Sequence, residues 1–143
     1  MKTVKKRSDC PLSSSLDVLG DKWSLLIIRD LLMVGKFSFG DFIGSKEKIA
    51  SNILTDRLSV LESDGIISKQ VSPKNKSKFI YSLTPKGIEL LPVLIEIMRW
   101  GAKYNADTPL PPKTIIKRYD GDKRSLVREY LENQKEALFT PTA

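Results

Sequence analysis

Residues 66–83 constrain the fold most. Two short strand-like runs, Ile66–Val71 and Lys78–Leu83, flank Ser72–Ser77, a turn of Pro, Asn, Lys and Ser, and together they read as a β-hairpin. Helix signals bracket it. Gly65 supplies a helix stop just before the hairpin. Thr84-Pro85 supplies a helix start just after it, with Thr as cap and Pro in the first helical position.

Upstream the pattern is helical. Ser13–Leu19 can form a short helix, and Gly20-Asp21 punctuates it. Asp21 is placed to cap a strong helix over Lys22–Val34, whose apolar positions Trp23, Leu26, Ile27, Leu31 and Val34 recur at helical spacing before Gly35 ends it. Lys36-Phe37 makes an extended link. Ser38 with Asp41 resembles a capping arrangement for a short helix holding Phe39, Phe42 and Ile43. Gly44–Ile49 is a polar turn, and Ser51–Asp64 is a further helix with Ser51 as its cap.

Downstream, one long helix is expected from Thr84 to Tyr104, kinked at Pro92, which removes a backbone hydrogen bond. Thr108–Pro112 reads as a stiff extended spacer. Thr114–Tyr119 reads as strand or irregular, and Asp120–Asp122 as a turn. Ser125–Phe139 reads as an amphipathic helix with Val127, Tyr130, Leu131 and Leu138 on one side. The expected class is therefore mainly α with one small β-hairpin (α+β).

Composition excludes much chemistry. Histidine is absent and Cys10 is the single cysteine, which removes Ser-His-Asp and Cys-His catalysis, intrachain disulfides and Cys/His metal clusters. No Gly-rich phosphate-binding loop occurs. The reading is of a chain that is not an enzyme and needs no metal or cofactor. No apolar run approaches the roughly 18 residues of a membrane span. Met1–Arg7 carries charge without a following apolar stretch, so no secretory leader is read there and the cytoplasm is the expected compartment. The net charge of +7 draws polyanions.

The order of elements now suggests a function. A short helix, a polar turn and a second helix make a helix-turn-helix, and the hairpin beside them makes a wing. Along Ser51–Asp64, Leu54, Leu58 and Leu61 form one stripe that must face the core. Asn52, Thr55, Asp56 and Ser59 fall opposite, with Ser51 at the start and Arg57 on a flank. The major groove of B-DNA admits one helix. Asn can pair with adenine there, Arg with guanine, and Thr can meet a thymine methyl. In the hairpin, Lys74, Lys76 and Lys78 alternate with Asn75 and Ser77, and Lys69 lies upstream. If the alternation is that of a strand, the three ammonium groups share a face that can meet phosphate.

At these residues the chain resembles the HxlR-type winged-helix transcription regulators, relatives of the MarR group. The matching stretches are Cys10-Pro11, Leu16–Trp23, Ile53–Leu58, Leu61–Ile66, Tyr81–Thr84, Gly87, Leu91–Leu94 and Trp100-Gly101. The resemblance departs at Ser38–Phe42, where relatives carry a polar residue at Gly40 and leucine at Phe42, and it says nothing of Lys113–Ala143. It implies a homodimer on palindromic double-stranded DNA. The interface would be formed by the N-terminal helix, with Leu16, and by the long helix after the wing, with Leu90, Leu91, Leu94, Ile97, Met98 and Trp100. Two-fold symmetry would place the second reading helix about 34 Å away.

The resemblance leaves two readings for Cys10. It is either a half-buried structural thiol or an oxidation sensor, as the matching cysteine is in some relatives; a sensor needs exposure. Two alternatives to DNA reading alone stay open: a winged-helix adaptor for another protein, and a redox-sensing regulator using Cys10. A small-molecule effector between the long helices is compatible with the pattern but not demanded by it. The expected domains are a basic tail over residues 1–9, a winged-helix domain with its dimerisation helices over residues 10–107, and a spacer with a helical extension over residues 108–143.

Overall fold

The structure is a computed structural model that describes residues 2–105, 107–108 and 113–139, the backbone alone at 113–114 and 134–139. The chain gathers into two compact units, Met1–Gly87 and Ile88–Pro141.

The first unit opens with α1 (Pro11–Leu19). It starts two residues earlier than the serine run suggests, because proline's missing N–H is no loss in a first helical turn. α2 (Ser24–Arg29) starts two residues later than Lys22 and has Trp23, not Asp21, at its N-cap position, yet Asp21 still closes its start from two residues further upstream. Its carboxylate accepts from the amides of Trp23 and Ser24, both at 2.9 Å, and from the Ser24 hydroxyl at 2.6 Å. α2 then widens into a π-helical turn, Asp30–Val34, which Gly35 closes at φ 76°. That wider turn holds an extra residue and shifts the phase of the side chains after it. Ile28 joins Ile27 in the core from α2 itself, and within the wide turn Leu32 joins Leu31, while Val34, expected inside, is 53% exposed.

Ser38 and Asp41 form a reciprocal capping box at the start of α3 (Phe39–Ile43). α4 (Ser51–Ser63) differs in one detail from expectation. Ala50 is its N-cap, and Ser51 is already helical and makes no side-chain cap. Its far end is closed firmly. Gly65 takes φ 75°, Ile66 N–H donates to the Leu61 carbonyl at 2.9 Å, and Gly65 N–H donates to that of Glu62 at 3.0 Å. This Schellman pairing satisfies carbonyls that would otherwise be orphaned.

The hairpin pairs β1 (Ile67–Val71) with β2 (Phe79–Leu83), antiparallel, with Ile67 opposite Leu83 and Val71 opposite Phe79. Ile67, Tyr81 and Leu83 are buried at its base, and Val71 and Phe79 are exposed toward its tip. Tyr81 N–H donates to the Phe37 carbonyl at 2.8 Å, so the extended link after α2 joins the edge of the hairpin. The Thr84 hydroxyl accepts from Gly87 N–H at 3.2 Å and so caps α5 (Pro85–Ile88).

In the second unit, α6 (Leu91–Tyr104) is a separate helix. The single kinked helix of the sequence reading is two helices. Pro92 falls in the first turn of α6, where its amide would have no partner, so it starts a helix instead of bending one. α7 (Lys113–Phe139) breaks at Asp122 (φ −159°, ψ 91°), whose carboxylate accepts from Ser125 N–H at 3.1 Å. Thr114–Tyr119 is thus helical, neither strand nor irregular. Ile116 and Tyr119 are buried one turn apart, and so is Leu126, while Val127, Tyr130 and Leu131 are half-buried. Residues 109–112 of the expected spacer and the Leu138 side chain lie outside the described residues. Among the described residues no helix is long and apolar enough to cross a membrane.

Two glycines separate backbone freedom from close approach. A methyl on Gly87 would lie 2.3 Å from the Ile66 carbonyl oxygen and 2.8 Å from Leu83 Cδ2, whereas one on Gly40 would meet nothing. Gly87→Ala is expected to destabilise by about 1–3 kcal/mol. Gly40→Ala is expected to stabilise α3 by up to about 1 kcal/mol. Urea denaturation measures both, and shifts of the same sign would contradict this packing.

Candidate nucleic-acid interface

The helix-turn-helix is α3, the turn Gly44–Ala50 and α4. What sets the angle of α4 lies beneath the turn. Asp30 is 3% exposed and accepts from the Ser45 hydroxyl at 2.8 Å and from Arg29 at 2.8 and 3.0 Å. Arg29 also donates to both Glu47 oxygens at 2.9 Å, and Lys36 Nζ donates to Ser45 Oγ at 2.9 Å. α2 and the π turn are thereby joined to the turn at Ser45 and at Glu47. Hydrogen bonds from Arg29 hold the Glu47 carboxyl at a pKa of about 2, well below its ordinary value.

α4 turns Leu54, Leu58, Val60 and Leu61 into the core, with Leu54 and Leu61 fully buried. The predicted reading residues divide into two sets. Ser51, Asn52 and Thr55 are exposed at the N-terminal end, and the Thr55 hydroxyl donates to the Ser51 carbonyl at 2.9 Å. Asp56, Arg57 and Ser59 are half-covered. Arg57 binds Asp56 at 2.7 Å and Asp21 at 3.3 Å, and its side chain is 17% exposed. Sequence reasoning offers Arg57 to a guanine; in the folded chain its guanidinium is already engaged and pins α4 to the start of α2.

The cover over Asp56 and Ser59 comes from the chain's own N-terminus. Lys2 pairs its ammonium with Asp56, and its backbone N–H donates to Ser59 Oγ at 2.9 Å. Hydrogen bonds from Lys2, then Arg57, hold the Asp56 carboxyl below the usual carboxylate range. The basic tail is tied to α4 at one end and, through Arg7 and Asp17, to α1 at the other. Nothing in the spacing of residues 2–9 announces this, since the ties reach 10 positions from Arg7 and more than 50 from Lys2.

The wing lysines Lys74, Lys76 and Lys78 are all exposed, but they sit in the loop between the strands. The period-two argument for a shared face therefore does not apply to them. The loop is shaped instead by Asn75, whose side-chain oxygen accepts from Ser77 N–H at 3.0 Å and from Ser77 Oγ at 2.6 Å. Lys69, on the strand, lies over the Phe79 ring at 4.1 Å.

The residues assigned to a dimer interface also divide. On α1, Leu16 is 47% exposed, with Leu12 beside it at 67%. On α6, Leu91 and Leu94 are buried, so they belong to the core; Met98 is half-buried, as is Leu90 at the N-cap of α6. Ile97 and Trp100 are 50% and 66% exposed. Val93 and Tyr104, exposed as well, extend the stripe at helical spacing, a signal the sequence carried and the reading passed over. Cys10 is exposed at the N-cap of α1, which removes the half-buried reading of its thiol.

Residues 18–109 match the HxlR-like helix-turn-helix family. The chain is 38% identical over 95 residues to the helix-turn-helix transcriptional regulator YdeP of Bacillus subtilis, covering 66% of this chain and 73% of YdeP. Among solved structures it is similar to PA1607, titled a transcription factor, at 41% identity and TM-score 0.63, with 70% of this chain and 68% of that one covered. It is also similar to the redox regulator HypR in its oxidized form, at 33% identity and TM-score 0.60, with 67% and 98% covered.

The clamp under the turn gives a pH signature. A carboxyl whose pKa is lowered by folding adds stability above its unfolded value, and that stability is lost as pH falls toward the folded value. For Glu47 the window runs from 4.5 down to about 2. Glu47→Gln is expected to be less stable than wild type at neutral pH and to lose less stability through that window. Parallel acid-denaturation curves for the two proteins would rule the clamp out.

Proposed function

Because the chain belongs to the HxlR-like helix-turn-helix family, we propose that it is a homodimeric, sequence-specific regulator that binds palindromic double-stranded DNA. The carrying observation is the exposed polar end of α4, Ser51, Asn52 and Thr55, in a unit that also presents three exposed wing lysines. In this reading α4 enters the major groove. Asn52 pairs with a base edge. Thr55, its hydroxyl turned to its own helix, offers its methyl to thymine. Lys74, Lys76 and Lys78 contact phosphate and displace counterions. Asp56, Arg57 and Ser59 support the helix and do not read bases directly.

The dimer reading is supported by the stripe Val93, Ile97, Trp100 and Tyr104 on α6 and by Leu12 and Leu16 on α1. Large apolar side chains repeated along one helix face mark a surface that a second chain covers. A single short helix reads few bases, and a two-fold partner doubles the site.

Duplexes selected by the purified protein from a random pool supply the probe. Lys76→Ala is expected to weaken selected and unselected duplexes alike and to flatten the salt dependence by about 0.9 per protomer. Asn52→Ala is expected to cost about 1–3 kcal/mol on selected duplexes only. Equal losses on both duplexes from both substitutions would defeat the division of roles. Separately, Trp100→Glu is expected to shift sedimentation from dimer to monomer and to weaken binding to the paired site. An unchanged sedimentation coefficient would remove α6 from the interface.

A further inference from the structure

We infer that the N-terminal arm, residues 2–7, is a second phosphate-contacting element that lies beside the recognition helix, with Lys5 and Lys6 reaching the duplex. The inference rests on the DNA-binding reading of α4 above.

Two ties fix the arm in place. Lys2 is held to α4 by its ammonium on Asp56 and its amide on Ser59, and Arg7 is held to Asp17 of α1 by its amide at 3.2 Å and by its guanidinium. A chain segment held at both ends loses little further freedom when it binds, which removes part of the ordering cost a free tail would meet. Thr3, Val4, Lys5 and Lys6 lie between the ties and are exposed. The extended chain spans at most about 3.5 Å per residue, so Lys5 and Lys6 stay within roughly 14 Å of the Lys2 anchor along the backbone. The major groove is about 12 Å wide, so such an arm beside a helix seated in the groove is in range of a flanking phosphate strand.

Charge decides between assistance and obstruction. A segment that blocked a DNA-reading helix by mimicry would carry negative charge. Residues 2–7 carry Lys2, Lys5, Lys6 and Arg7 and no acidic residue. The arm covers Asp56 and Ser59 and leaves Ser51, Asn52 and Thr55 exposed. It also pairs the one carboxylate among the predicted reading residues, which would otherwise repel phosphate. Lys2 and Arg7 serve as anchors, and Lys5 and Lys6 remain as cations facing outward.

The test is salt-dependent binding of the full chain to a labelled duplex of arbitrary sequence and to a selected duplex. Lys5→Ala/Lys6→Ala substitutes two exposed side chains and is expected to leave thermal unfolding unchanged. Its log–log salt slope should be shallower by about 1.8 per bound protomer, so a fourfold rise in salt costs it roughly tenfold less affinity than wild type. The change should be equal on both duplexes, because phosphate contacts carry no sequence information. Lys2→Ala, which removes the ammonium tie to Asp56 and leaves the amide tie to Ser59, should reproduce part of the same loss of slope, and an unchanged slope would count against the anchor. If the double variant keeps the wild-type slope, or binds more tightly, the arm is no DNA contact and the inference is overturned alone. A wild-type chain that binds neither duplex overturns it together with the DNA-binding reading.

Discussion

The placement of α4 depends on one buried carboxylate. Asp30 sits where α2 gives way to the π-helical turn, shut away from water, and its oxygens are satisfied by Ser45 and Arg29. Removing either partner would leave a buried polar group unmatched, at a cost of about 1–3 kcal/mol and more for a charge. The arrangement therefore resists sliding. Ser45 cannot leave Asp30, Glu47 is held through Arg29, and the turn between α3 and α4 is fixed at both points. Packing of Leu54, Leu58 and Leu61 decides that α4 is buried on one side, and the carboxylate decides where its other side points. The phase shift of the π turn belongs to the same device, since it brings Asp30, Leu31 and Leu32 inward together.

α4 has to meet two demands with thirteen residues. One side must be apolar enough to dock, and the other must be short and polar enough to enter a groove. The charges between these sides, Asp56 and Arg57, are closed on each other, on Asp21 and on Lys2. This leaves the helix surface itself nearly neutral. In the proposed function, long-range attraction for a polyanion then comes from elsewhere on a chain of net charge +7, the exposed lysines of the wing loop among its sources. On that proposal attraction and discrimination fall to different side chains, the usual division at protein–DNA interfaces.

What the sequence discloses follows the range of each interaction. The Ser38–Asp41 box, the Asp21 cap, the Gly65 stop and the Thr84-Pro85 start are all legible because each is a contact between residues a few positions apart. The hairpin is legible from its turn. The π turn is not, because nothing local distinguishes a wide turn from an ordinary one; it is set by what Asp30 must reach fifteen residues away at Ser45. Pro92 is ambiguous by nature, since the same missing N–H can bend a helix or begin one. The fate of Arg57 and of the N-terminal arm hangs on partners 36 and 54 positions distant, Asp21 for Arg57 and Asp56 for Lys2, and no spacing rule reaches that far.

The C-terminal helix sharpens the reading of α6. The family match ends at residue 109, and α7 lies beyond it. α7 packs on α6, where Arg99 meets Asp120, and it buries Ile116, Tyr119 and Leu126. An added helix is an opportunity to cover any apolar surface left over on its neighbour. Yet with α7 in place, Val93, Ile97, Trp100 and Tyr104 are still 42–66% exposed. The second unit therefore spends its extra helix on other residues and leaves the stripe open along about three turns of α6. A chain that needed only to hide that stripe from water has the helix at hand to do so. Its remaining open supports the proposed dimer, in which another copy of the same chain covers it.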